Sequence, residues 1–245
     1  MDEIVKRAVE RAIETMQQNL GERLTIDDMA RSAMFSKFHF SRVFQRVTGV
    51  SPGRFLSAMR LEEAKRLLVT TSYTVADISH RVGYNSVGTF SSRFRSSVGV
   101  SPTTYRQLGG TTAEIATDDH EGAPSSSTVR GHVVAPPAES VGMVFVGLFP
   151  SRILQGPPVR YSMLSGPGAY VLQDVPLGTW YLMAYSMVPN ADAARHVGSH
   201  GPIKIQPDVA ARIADVQLRR MRMVDPPVLM AMVDTRTIEP DALAS

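Results

Sequence analysis

The chain has 245 residues, enough for one large domain or two small ones, and its 43% hydrophobic and 20% charged residues suit a packed core rather than a disordered tail. It contains no cysteine, which excludes disulfides, thiolate-held zinc, iron–sulfur clusters and a cysteine nucleophile. The formal charge of +3 divides unevenly: residues 1–108 carry 16 Lys+Arg against 10 Asp+Glu, and residues 109–245 carry 10 against 13. A basic half joined to an acidic half points to two domains with different partners, the basic one being the candidate for a phosphate backbone. A solvated helical surface that happens to be basic fits the charge as well.

The opening MDEIVKRAVERAIETMQQ has neither the apolar run of a signal peptide nor the length of a membrane span. A cytoplasmic protein without a membrane partner is the expectation. Ile4, Val5, Ala8, Val9, Ala12, Ile13, Met16 and Leu20 recur at helical spacing and predict a helix over 3–20. A start signal at Thr25-Ile-Asp-Asp28 opens a second helix to about Ala33, and Lys37 to Val47 gives a third. Ser51-Pro52 caps a long helix carrying Phe55, Leu56, Met59, Leu61, Ala64, Leu67 and Leu68. Short helices follow at 74–82, 87–98 and 102–107.

These helices repeat. Leu24-Thr25-Ile26-x-Asp28-Met29-Ala30 returns 49 residues later as Tyr73-Thr74-Val75-x-Asp77-Ile78-Ser79, and Phe40-Ser41-x-x-Phe44 returns as Phe90-Ser91-x-x-Phe94. Gly49-Val50-Ser51-Pro52 returns as Gly99-Val100-Ser101-Pro102, and Phe55 as Tyr105. Each unit reads as a short helix, a tight turn and a second helix, which is helix-turn-helix geometry. Gly83 stands in the second turn, free to take positive φ; Met34 holds the same place in the first, which predicts strain or a different turn.

Residues 109–129 are Gly-, Thr-, Asp- and Ser-rich and read as a linker. Beyond it, VGMVFVGLF (141–149), AYVLQDV (169–175) and TWYLMAYSMV (179–188) are short β-branched and aromatic runs separated by Gly and Pro, as in a sandwich. Residues 203–221 fit either a strand or a short helix. Pro226-Pro227 and the apolar run after it read as an extended strand docking on the sandwich or on a second subunit, and 233–245 as a loose tail. His196 and His200 have helical metal-ligand spacing, yet Gly198 and Gly201 argue against a helix and no carboxylate completes a site. No metal, no cofactor and no enzymatic activity are expected.

On SKFHFSRVFQRVTGVSP, the connecting RLEEAKRLL and VADISHRVGYNSVGTFSSRFRSSVGVSP, residues 5–108 resemble the AraC/XylS family of bacterial transcription regulators. The resemblance implies double-stranded DNA as partner. A linking helix of about 17 residues spans roughly 25 Å and sets two recognition helices into major grooves about one DNA turn, roughly 34 Å, apart. On the first recognition helix, Phe40, Val43, Phe44 and Val47 form the buried stripe. Lys37, Phe38, His39, Ser41, Arg42, Gln45 and Arg46 face outward, with Arg42 as base reader, Phe38 against thymine methyls or else a core aromatic, and the rest mainly on phosphates. On the second, Phe90, Phe94 and Val98 are buried, and Ser86, Val87, Gly88, Ser91, Ser92, Arg93 and Arg95 are the DNA-facing candidates. Many family members have Arg where this chain has Ser92, so the second helix is expected to contribute phosphate contacts more than base readout.

Residues 130–220 are similar to a carboxypeptidase-regulatory, transthyretin-like β-sandwich, through Gly131-His-Val-Val, Gly168-Ala-Tyr-Val-Leu and Val175-Pro-Leu-Gly178-Thr-Trp-Tyr. Most relatives place an effector domain before the DNA-binding half; here the second domain follows it. Tyr170, Trp180, Tyr181 and Tyr185 are candidates for a ligand pocket or interface, with core filling as the alternative. The expected whole is multidomain: an all-α tandem helix-turn-helix domain at 1–108, a linker at 109–129, a mainly β, sandwich-like domain at 130–232 and a tail. The function implied is a sequence-specific regulator, an activator by resemblance, engaging RNA polymerase. A small-molecule effector or a protein partner on the second domain, and a homodimer, are further expected partners. An α/β effector-binding fold, or a pure oligomerisation and docking module, are the alternatives for that domain.

Overall fold

The computed structural model describes residues 3–118, 127–137, 139, 141–187, 195–207 and 210–233. They group into two compact units. The first comprises the chain up to Thr112 together with Ile153–Gly156 and Arg222–Ala231, and the rest forms the second.

Seven helices build the first unit: α1 (Glu3–Gln18), α2 (Ile26–Ser32), α3 (Lys37–Thr48), α4 (Pro52–Thr70), α5 (Val75–Arg81), α6 (Val87–Val98) and α7 (Pro102–Gln107). At α2 and α5 the repeat in sequence is a repeat in capping. Thr25 and Thr74 each accept from the N–H three residues on, while Asp28 and Asp77 accept from the threonine N–H at 2.9 and 3.2 Å. The Thr25 and Thr74 hydroxyls, which donate to the same carboxylates, and then these N–H groups hold both carboxyls below the usual carboxylate range. Proline at the first helical position opens both α4 and α7. The aromatic core repeats too: Phe40–Phe44–Phe55 sit with centroids 5.4 and 5.4 Å apart, and Phe90–Phe94–Tyr105 with 5.7 and 5.6 Å.

The two turns adopt one conformation, with φ of 58° at Met34 and 80° at Gly83. A left-handed backbone costs an L-residue about 1–2 kcal/mol, partly offset by the extra chain entropy glycine would lose on folding. Met34 tolerates it because its side chain points into solvent, 77% exposed. Met34→Gly is therefore expected to stabilise the chain by about 0.5–1 kcal/mol, read as a higher urea midpoint at unchanged slope.

Two arginines fasten the loops that precede the helix-turn-helix units. Arg60 donates to the Leu20 and Glu22 carbonyls at 2.9 and 2.7 Å, and Arg106 to those of Leu68 and Tyr73 at 2.9 and 2.6 Å. Helix α4 is buried on more than one face, through Phe55, Leu56, Ala58, Leu61, Ala64, Leu67 and Leu68. A helix so covered is central rather than amphipathic.

Part of that cover comes from an unexpected place. Sequence places 130–232 together and reads the run after Pro226-Pro227 as a strand on the sandwich or on a second subunit. Instead Ile153, Val224, Leu229 and Ala231 join the helical core. An apolar run without period buries itself wherever complementary surface exists, and its sequence does not say where.

The second unit is β-rich. One sheet has the order β4 (Ala169–Leu172), β1 (Thr128–Val134), β7 (Ala211–Ile213), with β8 (Val216–Gln217) also on β1. The other runs β3 (Tyr161–Leu164), β2 (Met143–Phe149), β5 (Gly178–Met187), β6 (His196–Ile205), β9 (Arg219–Arg220). The second sheet is antiparallel throughout; β1 pairs antiparallel with β4 but parallel with β7 and β8. Val129, Val133, Tyr170 and Leu172 of the first sheet and Val144, Val146, Leu182, Ala184 and Ile203 of the second share one apolar cluster. The stretch 203–221, open between strand and helix by sequence, finishes β6 and supplies β7, β8 and β9. No helix occurs among the described residues of this unit, whereas an α/β effector fold needs helices across its sheet. Residues 119–126 of the expected linker and 234–245 of the expected tail lie outside the described residues.

In the β-rich unit Glu139 accepts from Arg220 Nε at 3.0 Å and faces buried His196 Nε2. His196 first, and then Arg220, hold the Glu139 carboxyl below its usual range. A carboxyl lowered on folding stabilises above its ordinary value of about 4.3, and that contribution disappears as pH falls through the lowered folded value. Acid denaturation of Glu139→Gln should accordingly show a shallower loss of stability below about pH 4.3 than the parent chain.

Candidate nucleic-acid interface

Helix α3 turns Phe40, Val43 and Phe44 inward, and the 3.6-residue period then fixes what faces out. Lys37, Phe38, His39, Arg42, Gln45 and Arg46 are exposed and Ser41 is half-buried. Phe38, for which sequence allows a core role, is 81% exposed. The core stripe is complete without it, so its ring stands in solvent. Lys37 is 3.5 Å from Asp27, His39 packs edge-on against Phe35 at 4.7 Å, and the Ser41 hydroxyl returns to the Lys37 carbonyl at 2.9 Å. Arg42 and Arg46 have no side-chain partner among the described residues. Each leaves a guanidinium fork open to a base edge or a phosphate.

Helix α6 turns Phe90, Phe94, Ser97 and Val98 inward. Ser86 is its N-cap and accepts from the Thr89 N–H at 3.3 Å. Gly88, Ser92, Arg93 and Arg95 are exposed, while Val87 and Ser91 are half-buried. A shallow groove along the helix is lined by Gly88, Thr89, Ser92, Arg93 and Ser96. The reach of this face lies in its two arginines; the positions toward the helix start are short.

Sequence reading treats α4 as a strut and assigns it no ligand. The structure adds a cleft of 640 Å³ between α4 and α6 whose lining includes Arg54, Ser57, Arg60 and Arg93 and no carboxylate. Burial lowers the Arg60 pKa from its usual value. Arginines converging with hydroxyls and no acid favour an anion. The spacing 54, 57, 60 puts these side chains on one helix face, which is the signal available in sequence.

The aromatic candidates of the β-rich unit separate. Trp180 is buried and donates to the Pro176 carbonyl at 2.9 Å; Tyr170 is buried and donates to the Ala214 carbonyl. Both belong to the apolar cluster, which is the core-filling role and not a pocket wall. Burial pushes the Tyr170 hydroxyl well above its usual range. Tyr181 and Tyr185 are half-buried, Tyr181 beneath the Arg152 guanidinium at 5.3 Å. His196 and His200 lie on β6 rather than a helix, His200 against the Asp215 carbonyl at 2.9 Å. Four residues of strand separate them by about 13 Å, so the two do not share an ion. No helix among the described residues is long and apolar enough to cross a membrane.

Two helix-turn-helix units in tandem, each with a basic exposed second helix, define a DNA-binding protein. A family profile described as a helix-turn-helix domain matches residues 29–108. The HTH-type transcriptional activator AarP of Providencia stuartii is 35% identical over 91 residues, covering 37% of this chain and 67% of that protein. The lactose operon transcription activator of Staphylococcus xylosus is 31% identical over 104 residues, 42% of this chain and 37% of that protein. Among solved structures, the DNA-binding domain of AdpA in complex with a target DNA is 31% identical and covers 43% of this chain and 92% of that one, at a TM-score of 0.38. The chain belongs to the AraC family of helix-turn-helix transcription regulators.

Proposed function

We propose that this chain reads two successive major grooves of one duplex, with α3 as the discriminating helix and α6 as mainly a phosphate-binding one. The observation that supports it is the joining of two equivalent recognition helices through α4, whose 19 residues span about 28 Å. That length commits the pair to one face of B-DNA, where grooves recur about every 34 Å. Arg42 supplies a bidentate contact to a guanine edge, Phe38 an apolar contact to a thymine methyl, and Lys37, Gln45, Arg46, Arg93 and Arg95 hold phosphates. The cleft arginines Arg54 and Arg60 take the backbone between the two grooves. As a regulator in the cytoplasm it would engage RNA polymerase as an activator, with the β-rich unit a transthyretin-like sandwich that modulates DNA binding through an effector, a protein partner or a second copy.

Selection of DNA from a random pool by the full chain, followed by hydroxyl-radical footprinting, tests the reading. Two protected tracts about one turn apart are expected, one with strong base preference and one with weak. A single tract, or equal preference in both, overturns it.

A further inference from the structure

The helical unit is incomplete without residues that sequence assigns to the other half of the chain. Two short segments, 153–156 and 222–231, are built into it. Leu229 is fully buried and Ile153 nearly so, in one cluster with Leu61, Leu68, Phe94 and Val98. The segments hold each other, because the Leu154 carbonyl accepts from the N–H groups of Leu229 and Met230 at 2.8 and 3.1 Å. They also hold the end of α6. The Gly156 N–H donates to the Ser97 carbonyl at 2.7 Å, and the Ala231 N–H donates to the Val98 carbonyl at 2.8 Å.

The last carbonyls of a helix have no partner within it and must find one elsewhere. In α6 two of them find it on residues more than 50 positions away in sequence. Gly156 makes the approach possible: its φ is +67°, and a Cβ there would stand 3.0 Å from the Ser96 carbonyl oxygen. The strap reaches α4 as well, since Lys65 Nζ donates to the Val228 carbonyl at 2.7 Å. Gln155 lines the arginine cleft together with Arg54 and Arg93.

We propose that these segments form a clasp that positions the second recognition helix, so that DNA reading by α6 depends on chain lying beyond the helix-turn-helix repeat. The clasp ties the C-terminal end of α6 to α4, and the axis of α6 fixes where Ser92, Arg93 and Arg95 meet DNA. The first helix-turn-helix repeat has no such backbone bonds from these segments among the described residues, and α3 is held by its own repeat. Between its two clasp segments the chain runs through the β-rich unit. Leu229, Ala231 and Gly156 are positioning residues, and the inference rests on the two-groove reading above.

The test uses the full chain and its selected DNA. Leu229→Ala removes the buried anchor, Ala231→Pro removes the donor to Val98, and Lys65→Met removes the bond to Val228. Each variant is footprinted well below its own melting temperature. The tract belonging to α6 is assigned by cleavage from an iron chelate on Asn85→Cys, an exposed position just before α6 and a unique thiol in a chain without cysteine. We expect Leu229→Ala and Ala231→Pro to lose about tenfold in affinity, with protection lost in the α6 tract and kept in the α3 tract. On a duplex cut short so that it lacks the α6 tract, variants and parent should bind alike. Lys65→Met, the mildest change, should shift the same ratio in the same direction. Equal weakening of both tracts, or a lowered melting temperature with both tracts intact, overturns the clasp as a positioning device. A parent chain that protects only one tract fails the two-groove reading, and the inference with it, before any variant is compared.

Discussion

Gly83→Ala is expected to destabilise the chain by about 3 kcal/mol or more, a fall of roughly 10 °C in melting temperature. Two costs add. The residue sits at φ +80°, where any L-residue pays about 1–2 kcal/mol. The new Cβ would also stand 2.6 Å from the Leu20 carbonyl oxygen and 2.8 Å from an Arg60 guanidinium nitrogen. A guanidinium can swing away, but the Leu20 carbonyl is backbone and already receives Arg60 Nε at 2.9 Å. The turn of the second unit, the loop after α1 and the Arg60 clamp therefore have to move together. Removing the arginine does not relieve the backbone clash, so Arg60→Ala, Gly83→Ala should be no more stable than Gly83→Ala alone. The equivalent Met34 shows that left-handed geometry by itself is tolerable; what differs is that its side chain points to solvent. A thermal melt followed by helical circular dichroism reads the result, and a loss below about 1 kcal/mol would mean that the loop carrying Leu20 yields freely.

The same comparison shows what sequence could and could not convey. The helices, their caps and the buried stripes of α3 and α6 were all legible, because each rests on a local signal: a period of 3.6, a Thr-x-x-Asp box, a Ser-Pro start. The repeat doubled every such signal, but at Met34 sequence left strain or a different turn open, and the structure has the same left-handed turn as at Gly83. The outward face of each recognition helix came from the same periodicity, which is why Arg42, Arg46, Arg93 and Arg95 are found in solvent. The roles of Arg60 and Arg106 were not legible. Their acceptors are main-chain carbonyls, which every residue possesses and no sequence advertises. Nor was the partner of Val224–Ala231, since burial of an aperiodic apolar run is decided by a surface assembled from distant segments. Tyr170 and Trp180 show the converse: aromatic character marked them for burial or for binding equally, and only the Ala214 and Pro176 carbonyls that receive their polar tips place them in the core.

Arg42→Ala should lower affinity for the selected site by about 1–3 kcal/mol, roughly 5- to 150-fold, and relax preference at a single base pair. The reason lies in what each recognition helix offers. Helix α3 presents an unengaged guanidinium one turn from its start, beside an aromatic ring that is 81% exposed. A planar fork matches the two acceptors of a guanine edge, and no hydroxyl or glycine reproduces that geometry. At the position equivalent to Arg42 helix α6 has Ser92, with Gly88 one turn earlier, so neither reaches far into a groove. Ser92→Ala should thus change affinity less than about threefold and leave base preference as it was. Arg93→Ala and Arg95→Ala should weaken selected and unrelated DNA alike, and each should reduce the slope of log affinity against log salt by about 1. Arg42→Ala also lowers total affinity, so the decisive measurement is the ratio between matched and single-mismatch duplexes at fixed salt. A larger fall of that ratio for Ser92→Ala than for Arg42→Ala would transfer the discriminating role to α6, and the cationic pair on that helix would then need a base-reading explanation.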